Sequence, residues 1–137
     1  MRHNLFLPLA VSLLAIAAPQ SCHAREYVVQ MITRAGSKHP FRFSPSKLTI
    51  HKGDTVRFVN AQDDRHDVMF ETVPKGADFA MSPMLEKKGQ SWTYTFDREG
   101  TYEYHCHPHE ALGMHGTIVV GHASKAADLK KDLHHHH

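Results

Sequence analysis

The stretch Thr101-Tyr102-Glu103-Tyr104-His105-Cys106-His107-Pro108-His109-Glu110-Ala111-Leu112-Gly113-Met114 changes character halfway along. Up to Cys106 it alternates, the mark of a strand with one face buried. Tyr102, Tyr104 and Cys106 share one face; Glu103 and His105 share the other. The cysteine is therefore expected to end a strand pointing inward, and His105 to point to solvent. Beyond Cys106 the pattern breaks at Pro108 and closes at Gly113, both turn formers. A thiol thus ends the strand, with the imidazole of His109 three residues on and the thioether of Met114 five further.

Working outward, Tyr27–Ile32, Phe41–Phe43, Leu48–His51, Thr55–Asn60, Asp67–Glu71, Ser91–Phe96 and Thr117–Val120 also read as short strands beside Thr101–Cys106. Lys52-Gly53-Asp54 and Arg98-Glu99-Gly100 are tight-turn chemistry between neighbouring pairs. No amphipathic helical pattern of useful length interrupts the series. The spacing predicts an all-β chain folded as an antiparallel sandwich. Residues 72–90, with Pro74, Gly76, Pro83 and Gly89, form a long irregular connection with room for one helical turn. Ala123–Leu133 reads as one short C-terminal helix.

The chain has 137 residues, 41% hydrophobic and 22% charged, enough for one core. Sixteen Lys+Arg against 14 Asp+Glu leave a net charge of +2, too weak a basic field for a nucleic-acid partner. No GxxxxGK[ST] or GxGxxG loop is present to cradle a phosphate. The unusual number is 14 histidines.

Arg2 and His3, the apolar run Leu5–Ala18 and the small residues Cys22 and Ala24 follow the order of a secretory leader. The run is short of the ~20 residues that span a bilayer, so no membrane span is expected. Residues 1–24 are read as a signal peptide, with a lipid anchor on Cys22 as the alternative. Residues 25–121 form the folded domain and residues 122–137 a tail, whose run His134–His137 is either native or a purification tag. Cleavage after Ala24 would leave Cys106 as the sole thiol in an oxidising compartment, where a metal bond protects it.

Another histidine, His66, opens the strand Asp67–Glu71. Two imidazoles, one thiolate and a weakly held thioether make the ligand set of an electron-transfer copper site. Soft sulfur favours Cu(I) and imidazole also satisfies Cu(II). A buried structural thiol, a structural zinc site and a catalytic Cys–His pair are the other readings. Zinc seldom takes thioether, and catalysis would need Cys106 to be reachable.

Residues 41–121 resemble the cupredoxins, the small type 1 blue copper proteins, most of all their pseudoazurin and plastocyanin branches. The resemblance rests on Phe41-x-Phe43-x-Pro45, Gly53-Asp54-x-Val56-x-Phe58, His66-Asp67-Val68 and Pro74-x-Gly76-Ala77. It continues through Gly100-x-Tyr102-x-Tyr104-x-Cys106-x-Pro108-His109 and Gly113-Met114-x-Gly116. It implies a Greek-key β-sandwich holding one copper, Cu(I) or Cu(II), on His66, Cys106, His109 and Met114. Asp67 stands where the family usually has Asn, which keeps an acceptor and loses an amide donor. His107 replaces a small polar residue.

The resemblance further implies a periplasmic, monomeric one-electron carrier rather than an enzyme, since its coordination positions are filled. Redox proteins would dock near His109, in a ring of Pro108, Ala111, Leu112 and Met114. Lys75, Lys87 and Lys88 are expected to flank that ring and steer an acidic partner. The alternative is a periplasmic copper-tolerance protein that binds or oxidises excess copper. His105, His107, His115 and His122 would then gather at the same end as the ligand loop and hold extra surface copper. Met69, Met81 and Met84 either hold Cu(I) at the rim or simply pack.

Overall fold

Tyr27, Val29 and Met31 turn one face of their strand inward while Glu26, Val28 and Gln30 turn out, and the same two-residue period runs through most of the chain. The computed structural model describes residues 24–122. The expected leader (but for Ala24), the helix expected over Ala123–Leu133 and the run His134–His137 lie outside the described residues. The strands are β1 (Glu26–Thr33), β2 (Phe41–Ser44), β3 (Lys47–His51), β4 (Thr55–Asn60), β5 (Met69–Thr72), β6 (Ser91–Thr95), β7 (Gly100–His105) and β8 (His115–Gly121). They form two four-stranded sheets, ordered β2-β1-β4-β6 and β3-β8-β7-β5. Among the described residues no helix is long and apolar enough to cross a membrane.

The all-β sandwich is as expected, but its pairing is not wholly antiparallel. β1 runs parallel to β4, and β3 parallel to β8. The chain switches sheets between β2 and β3 and returns through Lys52-Gly53-Asp54, so β4 comes back beside β1 in the same direction. Alternation reports which face is buried, not which strand lies alongside, so this was outside its reach.

Between the sheets lie Val29, Met31, Phe43, Val56 and Phe58 from one side and Ile50, Phe70, Tyr102, Tyr104 and Ile118 from the other, all buried. Each such side chain contributes roughly 1.5–3 kcal/mol of burial. Tyr104 lies at the hub, edge-on to Phe43 (4.7 Å between centroids) and Phe58 (5.3 Å). Edge-to-face pairs add about 0.5–1.5 kcal/mol beyond area.

Residues 72–90 hold no helix. Their middle instead straps back on residues 66–69. His66 and Leu85 exchange backbone hydrogen bonds of 2.9 and 2.8 Å, and the Ser82 N–H donates to the Val68 carbonyl at 2.8 Å. The Ser82 hydroxyl accepts the Val68 N–H at 2.8 Å and donates to the Pro83 carbonyl. Because residues 66–68 pair with this strap, β5 starts at Met69 rather than at Asp67. The strap pins His66 from both sides before any metal is considered.

Candidate metal centre

At the end of β7 the ladder to β8 opens into a loop and a 3-10 turn over His107–Leu112, with Pro108 in its first turn. Gly113 closes the turn with φ 83°, a left-handed conformation that disfavours any side chain, and returns the chain to β8. The Cys106 N–H donates to the Met114 carbonyl at 3.1 Å and the His109 N–H to the Cys106 carbonyl at 3.2 Å. The backbone therefore closes the loop that carries the thiol, the imidazole and the thioether.

His66, Cys106 and Met114 are fully buried, and His109 is half-buried beneath the surface. Cys106 Sγ lies 3.6 Å from His66 Nδ1 and 3.6 Å from His109 Nδ1, and the two nitrogens are 3.3 Å apart. A point at the centre of such a triangle is about 2 Å from each corner, the length of a first-row metal–nitrogen bond. Two borderline nitrogens and one soft sulfur facing a common point suit copper or zinc and not a hard, oxygen-seeking cation. Met114 abuts the set through the backbone, its N–H donating to the His109 carbonyl at 3.4 Å.

Which nitrogen of His66 faces the centre is fixed from behind. Its Nε2 lies 2.8 Å from Thr33 Oγ1, and that hydroxyl donates to the Asp64 carboxylate. With its proton committed there, the Thr33 oxygen accepts from Nε2–H, which leaves the Nδ1 lone pair free for a metal. Sequence reasoning missed Thr33 and Asp64, because a threonine at the end of one strand carries no sign of a histidine 33 positions away. Asp67 does what an acceptor can: its Oδ1 takes the His107 N–H at 2.6 Å and ties the His66 segment to the ligand loop. His109 is clamped by Phe41, whose ring stacks on it at 3.8 Å and 7°.

Burial, with the neighbouring His109, holds the His66 imidazole down to about 4, against the pull of Asp64 and Asp67. Burial pushes the Cys106 thiol up to about 11, while the backbone N–H groups of Asp67 and His109 act to lower it. The imidazole is thus ready to ligate at neutral pH, and the thiol must surrender its proton to an arriving cation. In the metal-free protein, the unfolded chain protonates His66 below 6.5 whereas the folded chain does so only near 4. Stability should therefore fall as pH drops through that window, by roughly 3 kcal/mol at its lower end. Urea titrations of the metal-free protein between pH 7 and 4 test this. The limb should be absent from His66→Gln, and an identical limb in that variant would refute the assignment.

Several surface expectations need correction. His105 does lie on the outer face of β7, but it is buried, covered by Glu71 and Glu110 rather than facing solvent. Pro108, Ala111 and Leu112 are exposed around His109, whereas Met114 is wholly interior and takes no part in a surface ring. Lys87 and Lys88 lie near the His66 end, with the Lys88 N–H donating to Asp63. Lys75 lies at the opposite end, in a recess shared with Lys52 and Arg98. That end is where β7 begins and β8 finishes, so Lys75 cannot flank His109. His122 follows β8 at the same far end, paired with Glu99. Of the four extra histidines only His105 and His115 come together, 6.1 Å between rings. Met69 and Met81 face one another across an isolated bridge.

Residues 29–121 match the family described as copper binding proteins, plastocyanin/azurin family. The chain is 38% identical to plastocyanin of Nostoc punctiforme over 122 residues, 82% of this chain and 85% of that protein. It is 41% identical to plastocyanin of Scenedesmus fuscus over 83 residues, 57% of this chain and 85% of that one. The crystal structure of pseudoazurin from Methylobacterium extorquens AM1 superposes with a TM-score of 0.59 at 30% identity, covering 77% of this chain and 80% of that one.

Proposed function

This chain belongs to the copper-binding plastocyanin/azurin family, and from that premise we propose that it is an exported, monomeric one-electron carrier whose copper is held by His66, Cys106, His109 and, axially, Met114. The observation that carries the reading is the triangle of His66, Cys106 and His109 donors set at 3.3–3.6 Å with one corner near the surface. Bound copper supplies a one-electron couple between Cu(I) and Cu(II).

The protein's own part is to keep its donors still. Thr33 holds His66, the 81–85 strap pins its backbone, and the Asp67–His107 bond locks that segment to the loop. Donors fixed from behind move little when the charge on the metal changes, which keeps the reorganisation cost of electron transfer low. Since His66, Cys106 and Met114 are sealed, His109 is the ligand that offers partners a short path. Exposed Pro108, Ala111 and Leu112 give it apolar neighbours, edged by the carboxylate of Glu110, a surface suited to brief docking by a redox protein. In the oxidising space outside the inner membrane, metal ligation would also protect Cys106, the one thiol left after cleavage at Ala24. A site filled by four protein donors leaves no position for substrate, which favours a carrier over an enzyme.

Titrating the metal-free protein with copper should give one intensely coloured ion per chain that cycles reversibly between two states. Met114→Leu should keep copper and colour while raising the reduction potential, because a weak donor to Cu(II) is removed. An unchanged potential would move the axial ligand elsewhere, and failure of the coloured ion to cycle would defeat the carrier reading.

A further inference from the structure

Behind the copper loop, on the face of β7 turned away from Cys106, stands a second group of metal-ligating side chains. His105 lies in β7 between Met69 of β5 and His115 of β8 in the sheet register. Its Nδ1 is 3.2 Å from Glu71 Oε2 and its Nε2 3.6 Å from Glu110 Oε2. His115 Nδ1 is 3.5 Å from the other oxygen of Glu71. One donor atom from each of Glu71, His105 and Glu110 lies within 4.8 Å of the others.

Two features set this group apart from an ordinary charged surface. The His105 side chain is only 8% exposed, so a ligating imidazole is held in a fixed place while the two carboxylates, 33% and 50% exposed, can close on it. The ladder between β5 and β7 also shifts register between Phe70 and Thr72, leaving Glu71 unpaired at an irregularity, a device that re-aims a side chain beside a site. Among the described residues neither Glu71 nor Glu110 makes an ion pair with a lysine or arginine. Two carboxylates therefore converge on imidazole with no fixed cation to balance them.

We propose that Glu71, His105 and Glu110, with His115 in reach as a fourth donor, form a second metal site for a first-row divalent cation such as Zn2+. Imidazole with carboxylate suits Zn2+ or Cu2+; the two hard carboxylates disfavour Cu(I), and the imidazoles disfavour Ca2+ and Mg2+. An ion there links β5 and β7 to the 3-10 turn, and so braces the loop that carries Cys106 and His109. The site stands on its own residues and does not depend on the carrier reading.

The test uses the full chain with copper in the first centre and His134–His137 changed to Gln, so that the tail does not compete. Calorimetric titration with Zn2+ should show one zinc per chain beyond the copper, with the visible band unmoved. Glu71→Gln combined with Glu110→Gln should abolish that uptake; both side chains are partly exposed, so the fold is not at stake. No uptake beyond copper, or the same uptake in the double variant, would overturn the site. Loss of zinc binding with the copper band intact separates this result from any failure of the first centre.

Discussion

Cys106→Ser should give a folded protein that binds copper weakly and shows none of the intense visible absorption of its parent. The band requires a copper–thiolate bond, and the Cys106 sulfur lies 3.6 Å from both His66 Nδ1 and His109 Nδ1. Serine is close in size, but its hydroxyl is a poor donor to Cu(I) and would not ionise in this buried place. It also leaves a polar group in an apolar site, at about 1–3 kcal/mol. The metal-free variant should therefore melt earlier but cooperatively, which circular dichroism would show. Were Cys106 only a small core residue, the substitution would lower stability and leave the colour untouched. Persistence of the band in a variant shown to be folded is the outcome that would sink the copper assignment.

Much of this arrangement was legible in the sequence, and the parts that were not share a physical cause. Period-two alternation located eight strands to within a residue or two, because burying one face of a strand dictates its side chains locally. It did not reveal that β1 lies parallel to β4, since neighbours in a sheet are chosen by the path of the chain between sheets. Cys106, His109 and Met114 could be read together because one loop carries them. His66, 40 positions away, joins them only through the resemblance carried by His66-Asp67-Val68, and the 81–85 strap that positions it has the composition of plain loop. Thr33 and Asp64 act on His66 across the fold and leave no local mark, and Phe41, though part of a recognisable motif, shows nothing in the sequence of its stacking on His109. His105 shows the same limit: alternation assigned its face correctly, but Glu71 and Glu110 cover it, and a cover is a tertiary fact.

Gly116→Ala should damage stability and copper site together, although Gly116 ligates nothing. Its φ is ordinary, so the demand for glycine is one of space. A Cβ built there would lie 2.3 Å from Cζ of Tyr104 and 2.4 Å from its hydroxyl oxygen. These two residues face each other across the β7–β8 ladder, so neither backbone can retreat without loosening the sheet. Tyr104 is fully buried against Phe43 and Phe58 and has no empty side to turn to. Overpacking of this kind costs about 1–3 kcal/mol, and the displaced ring would also disturb its aromatic pairs. Tyr104 lies two residues before Cys106 and Gly116 two after Met114, so the strain enters the copper loop from both ends. The variant should melt lower, release copper faster to a chelator and shift its visible band. Tyr104→Leu in the same chain should return part of the loss, making the pair markedly non-additive in a double-mutant cycle. Additive effects, or a Gly116→Ala protein as stable as its parent with an unmoved band, would show that the ring yields freely and that the glycine does not shape the site.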